Sequence, residues 1–157
     1  MKKLLSTVVL GSCLAALPAA SHAQITYFSA DLNGANESPA NASPAIGTAL
    51  ITTDTGLNTM RVQVTFTGLQ GNVTAAHIHS ATAVAGTGTA GVATPTPSFP
   101  GFPSGVTLGS YDQTFDMTLA SSYRAGFITA NGGTPSSAQA ALFSSFSDGK
   151  AYLNIHT

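Results

Sequence analysis

Thr59-Met60-Arg61-Val62-Gln63-Val64-Thr65-Phe66-Thr67 is the stretch whose pattern decides the fold. Met60, Val62, Val64 and Phe66 take every second place, with Arg61, Gln63, Thr65 and Thr67 between them. Successive side chains of a strand leave opposite faces, so this segment has one core face and one solvent face. Residues 46–53 just upstream form a matching arm, and Asp54-Thr55-Gly56 joins the two as a hairpin turn. Working outward, residues 25–32 form a first strand that runs into the turn pair Asn33-Gly34. The Asn- and Pro-rich residues 36–44 form a loop that holds the only glutamate, Glu37. Residues 73–79, 106–108 and 111–119 read as further strand pieces, the last with Phe115, Met117 and Leu119 on one side. Residues 121–130 suit a short helix ending at Asn131-Gly132-Gly133. Thr134-Pro135 then offers an N-cap with proline in the first turn, and Ala138, Ala141, Leu142 and Phe146 make an apolar stripe closed by Asp148-Gly149. Residues 150–157 form a last strand. The expected fold is mainly β: an antiparallel β-sandwich or barrel with one or two short helices before the last strand.

Composition narrows the function. Of 157 residues only 11 are charged at neutral pH, 5 basic and 6 acidic, so nothing neutralises nucleic-acid phosphates and no polybasic stretch holds an anionic membrane. Water is held instead by 38 Ser and Thr side chains. Met1-Lys2-Lys3, an apolar stretch over residues 4–17, and small residues at Ser21 and Ala23 read as a secretory signal peptide, residues 1–23, cut before Gln24. The apolar stretch is too short and too interrupted for a transmembrane span. Leu10-Gly11-Ser12-Cys13 also fits a lipoprotein signal, but the apolar residues after Cys13 rank that second. The expected product is a secreted or periplasmic domain, residues 24–157, with three basic against six acidic groups and no cysteine. Thiolate chemistry is thereby excluded. Residues 80–105 carry no charge at all and are built from Ala, Thr, Gly, Val and Pro; a loop of that length in a compact domain is usually functional or mobile. Gly86-Thr87-Gly88-Thr89-Ala90-Gly91 fits a dinucleotide fingerprint by letter only, since neither a following helix nor an acidic residue supports it.

Against that neutral background stand the three histidines of residues 24–157. His77 and His79 are two apart on one strand and leave the same face, with Ile78 opposite. In the last strand His156 shares a face with Asn154 and Tyr152, and Ile155 with Leu153 and Ala151. If Ile78 and Ile155 both face the core of adjacent strands, His77, His79 and His156 converge on one outer surface. Three nitrogens so placed suit zinc or copper with an open position, and the Glu37 loop is a further source of an oxygen ligand. The alternative is structural: the three rings hydrogen-bond to loop carbonyls and to Thr157 and hold the long loop on the sheet. Asp112 and Asp116 share a strand face as solvated rim residues.

Three patches, in order, resemble the CHRD domain, a module of secreted proteins. They are Asp31-Leu32-Asn33-Gly34-Ala35-Asn36-Glu37-Ser38-Pro39 with Gly47-Thr48-Ala49, then Ala75-Ala76-His77-Ile78-His79, then Gly149-Lys150-Ala151-Tyr152-Leu153-Asn154-Ile155-His156-Thr157. The resemblance implies a non-enzymatic binding or structural module whose partner is an extracellular protein or surface ligand. The family pattern has a second proline after the early glutamate, absent here, and runs beyond His-Thr into another strand. A chain cut at Thr157 would then leave a sheet edge unpaired, with lower stability and a tendency to associate. The His-x-His strand also occurs in copper/zinc superoxide dismutases, whose dinuclear site needs more ligands than three histidines. Two readings therefore follow, a binding module without metal and a zinc or copper protein built on His77, His79 and His156.

Overall fold

The computed structural model describes residues 23–157. The leader assigned to residues 1–23, with Cys13, falls outside the described residues apart from Ala23. Six strands run β1 Ile25–Asn33, β2 Ile46–Asp54, β3 Thr59–Thr67, β4 Ala75–His79, β5 Gly109–Asp116 and β6 Tyr152–His156; the helices are α1 Ala125–Ala130 and α2 Pro135–Ser147. One antiparallel sheet has the order β1-β2-β3-β5, and a second pairs β4 with β6. The two helices precede the last strand, so the mainly β expectation holds in its two-sheet form rather than as a closed barrel.

The hairpin works as its alternation dictates. Asp54 Oδ1 accepts from the backbone N–H of Gly56 and Leu57 at 2.8 and 2.9 Å, closing the turn. Across the ladder Val62 faces Ile51 and Val64 faces Ala49, all buried. Phe66 lies opposite Gly47, where a Cβ would come within 2.6 Å of the Thr65 carbonyl oxygen, so only glycine allows that approach. On the other face Arg61 donates to Asp112 through Nε at 2.7 Å and Nη2 at 2.6 Å, an exposed pair. Ala76 and Ile78 of β4 join Met60, Val62, Val64, Met117, Leu142 and Ala138 in one core, so each sheet closes the apolar face of the other. Leu153 and Ile155 of β6, with Ala151 just before it, pack on it in part, as the parity of that strand requires.

Three local expectations are corrected. Residues 106–108 are not a strand; the carbonyls of Val106 and Thr107 accept from Val73 and Leu69 without forming a ladder. The fifth strand ends at Asp116, whose carboxylate takes the N–H and hydroxyl of Thr118 and turns the chain, leaving Leu119 exposed. Residues 121–130 are not one helix. A 3-10 turn occupies Ala120–Ser122, and then Tyr123 and Arg124 are extended, with Arg124 N–H donating to the Ala93 carbonyl at 2.9 Å. A backbone committed outward in this way cannot enter a helix before Ala125.

The second helix starts where Thr134-Pro135 places it. Thr134 Oγ1 accepts from Ser137 N–H at 3.1 Å and Ser137 Oγ accepts from Thr134 N–H at 3.2 Å, a capping box, and Asp148 closes the other end. Thr134→Ala is expected to cost about 1 kcal/mol, read as a lowered urea midpoint at unchanged slope. No change in midpoint would show that tertiary packing alone holds this helix end.

The uncharged segment is an ordered strap. From Ser80 to Leu108 it crosses the edge of β4 that β6 does not pair. Ala93 N–H donates to Ile78 O at 2.8 Å and Phe99 N–H to Ala76 O at 2.9 Å, while Thr94 Oγ1 and Ser98 Oγ accept from Ile78 N–H and Ala76 N–H, each at 2.9 Å. Hydroxyls here replace missing ladder partners of a buried strand edge, which is why Thr94 is fully buried. Phe99 and Phe102 then plug the strap into the core beside Tyr111 and Phe115 at centroid distances of 5.0 to 5.9 Å.

Candidate metal centre

The β4–β6 register sets His77 opposite Asn154, His79 opposite Tyr152 and Ala75 opposite His156. Ile78 is fully buried, so the two flanking histidines leave the other face, and the parity of β6 puts His156 there as well. One ring nitrogen from each of His77, His79 and His156 falls within 4.8 Å of the other two. The convergence expected of the three histidines is present. Their surroundings are not the open surface expected: the strap roofs them, and His77 is only 7% exposed.

Hydrogen bonds orient the rings. His77 Nδ1 lies 2.8 Å from the Pro97 carbonyl oxygen and His79 Nδ1 lies 2.8 Å from that of Ala90. A carbonyl only accepts, so both Nδ1 atoms carry the proton and both neutral rings present a bare Nε2 lone pair. His156 Nε2–H donates to the bare His77 Nε2 at 3.1 Å, and that proton is the one an ion would displace. His79 Nε2 is buried and has no hydrogen-bond partner. The expected clamping of the loop by histidine is thus found for His77 and His79, through Nδ1; Thr157 takes no part in it. Each ring has two nitrogens, and holding the strap with Nδ1 leaves His79 Nε2 bare and His77 Nε2 bonded only to His156, both within reach of a ligand.

A carbonyl on Nδ1–H with Nε2 free is the outer-sphere arrangement that metal-binding histidines use to fix tautomer and ring plane. Metal–nitrogen bonds of about 2.0–2.1 Å at tetrahedral angles put ligand nitrogens about 3.4 Å apart, so a pair at the 4.8 Å limit closes by about 1.4 Å on an ion, within reach of ring rotation. The donor set of neutral imidazoles suits zinc and copper. Among the described residues no other group of three or more His, Asp or Glu side chains meets in this way.

Glu37 stands apart. It follows the 3-10 turn Gly34–Asn36 and lines, with His156, Asn154 and Thr157, a cleft of about 970 Å³ between the β1 end and β6. Its carboxylate is near enough to favour a charged His79 but is not one of the clustered ligand atoms. Neither His77 nor His79 lines the cleft, so the centre meets solvent on the His156 side. Asp112 and Asp116 are spent on Arg61 and Thr118, well away from the histidines in their hydrogen bonding.

The site lies inside a recognised domain. The family model of the CHRD domain matches residues 28–157. The chain belongs to the CHRD domain family. No curated protein and no solved structure matches it. In this CHRD domain all three histidines and Glu37 fall within the matched span. Sequence reading missed the partners that orient them: the carbonyls of Pro97 and Ala90 lie in low-complexity sequence, where a backbone acceptor leaves no mark. Tyr152, stacked on His79 at a centroid distance of 4.6 Å and 5° between planes, was visible only as a face-mate of His156.

Protonation follows burial. Desolvation lowers the pKa of His77 and His79 below the ordinary 6.5; the Pro97 and Ala90 carbonyls oppose this, and charge on neighbouring rings adds to it. Unfolded histidine takes its proton near pH 6.5, before the folded rings do. Stability from these groups is therefore full above that value and is lost as pH falls from about 6.5 through the lower folded values. Thermal melts of the metal-free CHRD domain should give a midpoint that is level above about pH 7 and declines below about pH 6.5, with His77→Gln flattening the decline. A midpoint that rises on acidification would contradict the burial of neutral rings.

Proposed function

We propose that this protein is a secreted, non-enzymatic CHRD module whose three-histidine centre, His77, His79 and His156, holds one zinc or copper ion. The observation that carries the reading is the orphaned His79 Nε2, a buried lone pair aimed into a cluster where two further ring nitrogens converge. A buried acceptor without a partner costs about 1–3 kcal/mol, and an ion removes that cost. The ion supplies a positive centre that ties β4 to β6 and faces the cleft beside Glu37. Glu37 acts there as an outer carboxylate, available to a water or to a partner's basic group rather than to the ion itself. The partner is an extracellular protein or surface ligand that meets the cleft side. Export rests on the leader-like residues 1–23, and intact mass of the secreted product, starting at Gln24, tests it.

The competing reading, a module that uses its histidines only to hold the strap, is favoured by the two Nδ1–H bonds. The two differ at His156, which makes no bond to the strap. Metal analysis of protein purified without chelator is expected to find about one zinc or copper per chain. Zinc and copper both at background, with no uptake on addition, would leave the strap-holding role alone.

A further inference from the structure

We infer that Tyr152 is a positioning residue for His79, acting through the strap peptide at Ala90; this rests on the metal-centre reading. Three contacts close a ring. His79 Nδ1–H donates to the Ala90 carbonyl at 2.8 Å, Ala90 N–H donates to the Tyr152 hydroxyl at 3.2 Å, and the Tyr152 ring stacks on the His79 ring. The register sets the ring contact, because His79 and Tyr152 are direct cross-strand partners, and the strap adds the two Ala90 bonds. Ala90 is therefore held through both of its backbone polar groups, its carbonyl by the histidine it orients and its N–H by the tyrosine that lies flat on that histidine.

The consequence is specific to one ligand. His77 takes its orientation from Pro97, and His156 makes no strap bond, so neither depends on Tyr152. Without the hydroxyl, Ala90 is tethered only through the bond it provides, and the His79 ring gains freedom about χ2. Its Nε2 then spends less time in the cluster. Outer-sphere partners of a ligating histidine are typically worth about 10–100-fold in metal affinity. Tyr152→Phe keeps the stacking and drops the hydroxyl; Tyr152→Leu drops both.

The test uses residues 24–157 as the mature chain, with zinc and copper as probes. Competition with a chelator should show affinity about tenfold weaker for Tyr152→Phe and up to about 100-fold weaker for Tyr152→Leu, at unchanged stoichiometry. The readout that a purely structural role would not move is the Nδ1–H proton resonance. In both variants, metal-free or loaded, the His79 signal should broaden by exchange while that of His77 stays sharp. Equal affinities together with a sharp His79 signal in Tyr152→Leu would overturn the inference. A wild-type chain that binds neither metal but shows the selective His79 broadening would instead sink the metal reading and keep the positioning role.

Discussion

Replacing His77 by alanine should both empty the centre and loosen the strap, whereas replacing His156 by alanine should only empty it. His77 supplies its Nε2 lone pair to the cluster and a Nδ1–H to Pro97. Removing a ligand outright should exceed the roughly 10–100-fold that outer partners contribute, so zinc or copper affinity is expected to fall by more than about 100-fold in both variants. Stability separates them. In His77→Ala the part-buried Pro97 carbonyl loses its donor and the buried ring leaves a void, together about 1–3 kcal/mol on the metal-free protein. His156 is partly buried and makes no strap bond; only its Nε2–H bond to His77 Nε2 is lost, so the metal-free His156→Ala protein should lose less, about 0.5–1.5 kcal/mol. Chelator competition and metal-free thermal melts on the same two proteins read both quantities. Equal stability losses would mean that His156 also braces the strap in a way its contacts do not indicate.

Phe99→Ala should be the most damaging change outside the histidines. Phe99 is 1% exposed, lies 5.5 to 6.4 Å from the rings of Phe115, Tyr111 and Phe102, and its own N–H pairs with Ala76. Truncating a buried phenylalanine costs about 3–5 kcal/mol, a large part of the roughly 5–15 kcal/mol that holds a domain folded. The effect should reach the metal centre, because Pro97, which orients His77, is two residues away on the same strap. Urea unfolding should show the loss as a lower midpoint, and metal affinity measured well below that midpoint should fall as well. Leu108→Ala serves as the contrast. Leu108 is 63% exposed, and its loss should stay within about 0.5 kcal/mol. If Phe99→Ala unfolds early yet binds metal as tightly as wild type, the strap does not position His77.

The β2–β3 hairpin was legible because alternation over nine residues leaves one assignment of faces, and Met60, Val62, Val64 and Phe66 are buried as that assignment requires. The meeting of His77, His79 and His156 was legible for the same reason: period two fixes the face of each ring once Ile78 and Ile155 are placed inward. The path of the strap was not. Its bonds to β4 run through carbonyls, N–H groups and the hydroxyls of Thr94 and Ser98, groups that every Ala/Thr/Gly-rich stretch contains. Its anchors, Phe99 and Phe102, are the large apolar side chains that the overall composition of the segment obscured. The helix start at Ala125 was hidden for a related reason, since the bond from Arg124 to Ala93 comes from a segment 31 residues away. Leu119 looked like a core residue until Asp116 turned the chain beneath it. Scarcity of charge, which first excluded nucleic acid, proves to be the composition of a strap whose hydroxyls work as internal hydrogen-bond partners.

The most direct test of the metal centre is nitrogen-15 NMR of the histidine side chains during zinc titration of the metal-free domain. The Nε2 resonances of His77, His79 and His156 should all shift and saturate at one zinc per chain, while the Nδ1–H signals of His77 and His79 persist on their strap carbonyls. Zinc-independent Nε2 resonances, or loss of the two Nδ1–H signals on titration, would contradict a centre built from three Nε2 atoms beneath the strap.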